Sequence, residues 1–161
     1  MFLGSNEIKT MIGLFKDCKN IKAIPVNVFD SLPNLEDITD IFNGASLQYY
    51  TDITDFDEYG SEYVIGKQWH NVFRSDNIFS NCPKLKFATR AFANSELINV
   101  PKNIFANSPI LQNIEYCFSG ILNLNSYYEG VGSPLVFPNT LWITAPLFIS
   151  IKGVFKDTFI N

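Results

Sequence analysis

The sequence predicts an α/β repeat fold, a right-handed solenoid with short parallel strands and about four turns of roughly 26 residues. Three observations lead to this expectation. Residues 24–44, IPVNVFDSLPNLEDITDIFNG, agree at spaced positions with residues 100–120, VPKNIFANSPILQNIEYCFSG. Phe recurs at steps of 13 or 14 residues along most of the chain. Two types of unit alternate, so two successive units together make one turn.

The recurring aromatic residue marks each unit and sets the predicted core. Aliphatic residues follow it at regular spacing, and one unit type also carries a Pro shortly after the aromatic residue. Units of the same type should therefore stack on one another in successive turns. We expect two buried aromatic columns, one formed by Phe15, Phe42, Phe92 and Phe118 and the other by Phe29, Phe79, Phe105 and Trp142.

Short strands are predicted where the units show an LxxI pattern. A strand in one turn can pair with the strands above and below it, so open strand edges occur only at the ends of the array. Pieces set off by Pro, such as Val26 to Ser31, suit a turn or one short helical turn. The predicted strands are Asn20–Ala23, Asn34–Ile38, Lys84–Ala88, Glu96–Val100 and Ile110–Ile114.

The two matching runs resemble the BspA-type leucine-rich repeats of Bacteroidetes surface proteins, in which IPxNLF and CFxGC elements alternate. Similar repeats also occur in fibre-like proteins of phages that infect those bacteria. The resemblance covers nearly the whole chain apart from two insertions. It implies a leucine-rich-repeat-like solenoid, and a turn of roughly 26 residues lies within the range of such repeats.

Composition and charge argue against several classes of partner. The net charge is −4 and Lys and Arg do not cluster, so we expect no nucleic-acid partner. The longest apolar run, Leu141 to Ile151, is interrupted by Thr144 and Pro146 and is too short to span a bilayer. Three Cys without a CxxC spacing and a single His, His70, give no metal site, and we expect no cofactor.

Residues 1–161 are predicted to form a single solenoid segment. The units are incomplete at both ends, and no polar capping unit is visible there. We expect a fragment of a longer array, or an array capped by another chain, in which Met1 need not be the natural start. The opening sequence MFLGSNEIKT shows no signal peptide. Uncovered apolar ends predict that the segment associates with itself.

Two insertions depart from the repeat, at about 48–77 and about 125–136. Both follow the aliphatic residue that comes after a marker Phe, so we expect them to be neighbours on one edge of the array. Six of the seven Tyr lie in these insertions, whereas the repeat itself uses Phe. The predicted ligand-binding residues on this edge are Tyr49, Tyr50, Tyr59, Tyr63, Trp69, His70, Tyr127 and Tyr128.

The aromatic insertions have two interpretations, and the sequence leaves both open. Tyr and Trp on loops combine an apolar face with a polar tip, which suits a surface that contacts protein or sugar. Loops on a rigid scaffold also commonly carry function. In the other interpretation, the longer insertion folds into its own small hairpin, and its Tyr and Trp side chains form a local core.

The acidic and sulfur-containing residues do not form a recognisable catalytic pattern. Asp52, Asp55, Asp57, Glu58 and Glu62 cluster in the first insertion, but their spacing does not match an EF-hand, and a solvated acidic loop is the simpler interpretation. Nothing in the sequence places two carboxylates opposite each other for glycoside hydrolysis. The three Cys occupy repeat positions that suit small buried residues. We therefore expect no enzyme.

The function that fits these features is a non-catalytic recognition or adhesion module that binds protein or glycan. It would be extracellular, at a cell surface. The alternative is a structural component of a phage fibre or virion assembly, in which neighbouring subunits are the partners. A repeat scaffold by itself does not identify its ligand.

Overall fold

The computed structural model describes residues 6–21, 24–25, 28–30, 32–71, 73, 77–98, 100–101, 103–122 and 150–158. For residues 49–53 and 66–71 the structure describes the backbone only. Trp142, Tyr127, Tyr128 and the second predicted insertion lie outside the described residues.

Five segments of the described chain stack on one another in chain order through parallel bridges, which link Thr10, Asp37, Phe87, Asn113 and Ser150. Alternate backbone N–H groups of one segment donate to carbonyl oxygens of the next, at 2.7 to 3.1 Å. The register is the same at every junction. These segments, called the stacked segments below, are 10–17, 37–44, 87–94, 113–120 and 150–157.

Each stacked segment bends sharply because its fourth and eighth residues have positive φ angles. The fourth residue is Gly only in the first and last segments; in the others it is Asp40, Arg90 or Tyr116. At the bridge positions, the Asp37 and Asn113 side chains accept hydrogen bonds from the backbone N–H two residues later, at 2.7 and 2.8 Å. Such Asx turns end the extended conformation. Three of the five bridge residues lie inside predicted strands, but each bridge involves one residue rather than a whole strand. The described residues of the predicted strand Glu96–Val100 form no strand.

A column of Phe rings fills the interior beside this ladder. The rings of Phe15, Phe42, Phe92 and Phe118 lie on one another, with centroids 5.3 to 5.5 Å apart, and Phe155 continues the column at 5.7 Å. The three central rings are fully buried, whereas Phe15 and Phe155, at the two ends, are half-buried. The predicted first column is confirmed.

The second predicted column is confirmed for the rings that the structure describes. Phe29, Phe79 and Phe105 follow one another with centroids 5.3 and 6.3 Å apart, and all three are buried. Phe29 also meets Phe42 edge-on at 5.8 Å, so the two columns share one core. Phe79 and Phe105 adopt positive φ angles, which bulky residues rarely do, so burial of their rings offsets a backbone cost.

Side chains and glycines alternate down the last position of the stacked segments, which is occupied by Asp17, Gly44, Asn94, Gly120 and Asp157. A Cβ atom added to Gly120 would clash with the Asn94 side chain, and one added to Gly44 would clash with Asp17. The Asp17 and Asn94 side chains therefore occupy the space above the glycine of the next segment. Gly120 is required by this close approach as well as by its φ of 67°.

The first insertion forms an antiparallel β-hairpin of strands β1, Gln48–Phe56, and β2, Glu62–Asn71. Among the described residues these are the only strands longer than a single bridge, and no helix forms. Phe73, just after β2, returns to the core, where its backbone pairs with Ile24 and its ring meets Phe42 edge-on. Stacking by parallel bridges in chain order supports the predicted solenoid, which we propose as the fold class.

Replacing Phe92 by Ala should lower the free energy of unfolding by about 3 to 5 kcal/mol, because it leaves a cavity in the middle of the column. The matched control is Phe87→Ala in the same segment, since Phe87 is 38% exposed. We expect this control to cost about 1 kcal/mol or less. Urea denaturation measures both changes. Equal losses for the two variants would contradict the central role of the column.

Replacing Gly120 by Ala should cost about 2 to 4 kcal/mol, because left-handed strain adds to the clash with Asn94. Introducing Asn94→Gly into the same chain removes the clash and should restore a measurable part of the loss. A double-mutant cycle built from urea denaturation curves gives the coupling between the two positions. Additive effects would show that the two residues do not meet.

Candidate binding surface

The hairpin is attached to the core at both ends. Leu47, directly before β1, is fully buried, and Phe73, two residues after β2, is 8% exposed. The Phe73 ring lies edge-on to Phe42 at 5.3 Å and to Phe92 at 6.1 Å, so it contacts the first aromatic column beside two of its rings. The base of the hairpin is therefore held by buried contacts, while its sequence is free to differ from the repeat.

The register of the hairpin brings four of the predicted site residues to its base. Tyr49 pairs with His70 and Tyr50 with Trp69, at neighbouring positions of the ladder. Further along, Ile53 pairs with Gly66 but Thr54 pairs with Val64, so Ile65 is an extra residue that forms a bulge. A bulge bends a strand and increases its twist, so the outer part of the hairpin is redirected relative to its base.

The turn of the hairpin is fixed by Asp57. Its carboxylate accepts hydrogen bonds from the backbone N–H groups of Tyr59 and Ser61, at 2.9 and 2.8 Å. The Asp57 N–H donates to the Ser61 carbonyl, and the Gly60 N–H donates to the Asp57 carbonyl, both at 3.0 Å. These four bonds hold the loop in one conformation, because Asp side chains readily bond to the backbone of the same turn.

Residues 54–65, called the hairpin tip below, are all exposed. Five of them are large hydrophobic residues, whose burial inside the chain would have been favourable. Side chains alternate between the two faces of a ladder, so Phe56, which pairs with Glu62, and Tyr63 lie on opposite faces and both faces of the tip carry apolar side chains. Exposed apolar surface of this kind marks interaction sites. The exposed fractions of the five residues are 64% for Phe56, 85% for Tyr59, 48% for Tyr63, 55% for Val64 and 56% for Ile65.

The hairpin tip also carries four carboxylates and no Lys or Arg. Asp55 and Asp57 bond to backbone N–H groups of the tip. Among the described residues, Glu58 and Glu62 make neither a hydrogen bond nor an ion pair. The tip therefore carries four carboxylates beside its apolar side chains, and no basic residue lies within 54–65.

The outer surface of the stacked segments handles charge differently. Arg90 donates two hydrogen bonds to the Asp40 carboxylate at 2.8 Å, and Lys86 pairs with Glu36 at 2.7 Å. The hydrogen bond from Arg90 is the main cause that lowers the pKa of Asp40, and the hydrogen bond from Lys86 lowers that of Glu36. These two carboxylates thus have basic partners, whereas no ion pair involves the carboxylates of the tip among the described residues.

The structure places Tyr59 and Tyr63 in the exposed tip, as expected for a contact surface. The insertion does form a hairpin, as the second interpretation expected, but these two Tyr do not form a core within it. Phe56, Val64 and Ile65 lie outside the predicted set of site residues, because that prediction rests on the concentration of Tyr, with Trp and His, in the insertions. The proximity of the two insertions stays a prediction, since the second lies outside the described residues.

In the part of the chain that the structure describes, no group of three or more His, Cys, Asp or Glu side chains is placed to hold a metal ion. Burial raises the pKa of Cys82 to about 11 and that of Cys117 even further, so both thiols are protonated at neutral pH. Cys18 is half-buried.

Compared with protein-family models, with curated proteins and with solved structures, the chain matches none. In the described ranges, no helix is long and apolar enough to cross a membrane.

Replacing Asp57 by Ala should loosen the hairpin turn without affecting the stack, because only the tip loses hydrogen bonds. We expect the Tyr59 and Ser61 amides to exchange with solvent several-fold faster, corresponding to a local loss of about 1 kcal/mol. The amides of Phe92 and Phe118 should keep their protection. Hydrogen exchange measured by NMR distinguishes the two sets.

The matched control is Asp55→Ala, which removes one bond to the adjacent Phe56 N–H and leaves the turn bonds in place. Unchanged exchange at Ser61 in Asp57→Ala would mean that the carboxylate does not hold the turn.

Proposed function

We propose that this chain is a non-catalytic recognition module, in which a leucine-rich-repeat-like, right-handed solenoid of short parallel strands presents the hairpin as its contact element. The observation that carries the proposal is the exposure of five large hydrophobic residues together in the hairpin tip. Under this proposal the module acts at a cell surface, in keeping with the resemblance to BspA-type repeats, and its ligand is a protein or a glycan.

The division of aromatic residues supports this proposal. The stack buries its Phe rings in continuous columns, and it does so without help from the tip. The tip instead leaves Tyr59 and Phe56 in solvent, on a loop whose conformation is fixed by hydrogen bonds. A contact element that is already ordered loses less conformational entropy when it binds. Function on such a loop needs no change in the scaffold.

A second candidate, a structural component of a phage fibre or virion assembly, is favoured by the end segments. Leu14 is 44% exposed and Ile151 is 50% exposed, although both occupy positions that are buried in the interior segments. Contacts between neighbouring subunits would cover such residues. Sedimentation separates the two candidates, because assembly through the ends predicts oligomers that remain when the hairpin is removed.

Replacing Gln48–Asn71 by a short Gly-Ser turn should leave the stack folded, because closing a loop of different length changes stability only slightly. We expect a cooperative urea transition and persistence of the circular dichroism bands of the stacked Phe rings, although the bands of Trp69 and of the four Tyr of the hairpin are lost. The same variant should lose binding on glycan and protein arrays to every ligand that the unmodified chain retains. Retained binding would place the contact surface elsewhere.

A longer deletion, from Gln48 to Phe73, is the comparison variant for this experiment. It also removes the Phe73 ring from the core, so it should cost about 3 to 4 kcal/mol more than the shorter one. Similar stability of both variants would show that Phe73 does not hold the base of the hairpin.

A further inference from the structure

We infer that the partner of the hairpin tip is a protein surface with an apolar patch flanked by Lys or Arg. This inference rests on the proposed function and deepens it, because it selects one ligand class for the contact element.

The first step concerns charge. The tip contains Asp55, Asp57, Glu58 and Glu62 and no basic residue, and Glu58 and Glu62 have no partner among the described residues. Exposed carboxylates attract basic groups over roughly a Debye length, about 8 Å at physiological ionic strength. They repel phosphate, so nucleic acid and anionic lipid surfaces are disfavoured. A basic partner is the complement that this charge pattern selects.

The second step separates protein from glycan. Sugar-binding surfaces use aromatic faces and polar groups, and aliphatic side chains add little to them. The tip exposes Val64 and Ile65 at 55% and 56% in addition to its aromatic residues. Removing these side chains from water is favourable only against another apolar surface. The mixture of aliphatic and aromatic residues thus fits the centre of a protein interface, where charged residues lie at the rim.

The third step concerns a second copy of this chain. Pairing of two tips would bring four carboxylates against four others with no basic residue between them. Like charges opposed across an interface cost free energy and suppress such pairing. The tip is therefore protected from self-association while it remains open to a basic partner. This combination resembles the way natural edge strands avoid aggregation by carrying charge.

The test uses three peptides of equal length and the complete chain in isothermal titration calorimetry. The first peptide is an amphipathic helix of Lys and Leu, the second has Glu in place of Lys, and the third has Ser in place of Leu. We expect the Lys-Leu peptide to bind at least about tenfold more tightly than either of the others. Raising NaCl from about 0.05 to about 0.5 M should weaken its binding on the order of tenfold.

Two double variants should locate this binding on the tip. Glu58→Gln with Glu62→Gln removes charge without touching Asp57, and Tyr59→Ser with Ile65→Ser removes apolar surface. Each should weaken binding of the Lys-Leu peptide by about fivefold or more. The controls are Glu96→Gln and Leu122→Ser, which alter an exposed acid and a 60% exposed Leu outside the hairpin and should change binding less than about twofold.

The outcomes separate this inference from the proposed function. Tip-dependent binding of the Glu-Leu peptide, or of neutral glycans on an array, would leave the module function intact and overturn the basic partner. Equal binding of the Lys-Ser peptide would overturn the apolar patch. Failure of the Lys-Leu peptide to bind more tightly than the controls, or binding that the tip variants do not weaken, would also overturn the inference. Near-ultraviolet circular dichroism confirms that each variant keeps the stack.

Discussion

The register between stacked segments is the constraint on which the rest of the structure depends. Backbone hydrogen bonds set the distance between successive segments, at roughly the 4.8 Å spacing of paired strands. The Phe rings of the first column lie 5.3 to 5.7 Å apart, close to that spacing and within the range of favourable ring contacts. Because ladder and column have matching repeats, each segment needs a Phe at the same position. One missing ring would leave a cavity that its neighbours cannot fill.

The same register governs the surface of the stack. A side chain at one position meets the equivalent position of the next segment, so Asp40 meets Arg90 and Asn94 meets the space above Gly120. Equivalent positions of successive segments form a row along the stack. Residues that repel or collide within a row destabilise two segments at once. An insertion avoids this constraint when it leaves and rejoins the stack at buried residues, as the hairpin does at Leu47 and Phe73. This freedom explains how the tip can carry charge and apolar surface that the repeat rows would not tolerate.

The sequence predicted the features that depend on spacing, and it missed those that depend on contacts across segments. The steps between Phe residues identified four rings of the first column, the three described rings of the second and the site of the first insertion, but they did not place Phe155 in the first column. Phe73 was not recognised, because it lies outside the regular steps and enters the core through pairing with Ile24. The left-handed conformations of Arg90 and Tyr116 were not predicted either, since residues of these types rarely adopt them. Val and Ile are common in strands, so the sequence alone does not show that the side chains of Val64 and Ile65 are exposed.

The alternation of Asp or Asn with Gly also bears on self-association of the stack. If a second copy continued the described ladder, its segment 10–17 would lie on segment 150–157. Lys16 would then face Lys156, and Asp17 would face Asp157, where the interior pattern requires a Gly. Two like charges about 4 Å apart repel each other by about 1 kcal/mol in water, and the side-chain collision adds to that cost. The row pattern that joins the interior segments therefore opposes extension by a second copy, although Leu14 and Ile151 would favour it. A partner for either end should instead continue the alternation by offering Gly or a small residue at this position.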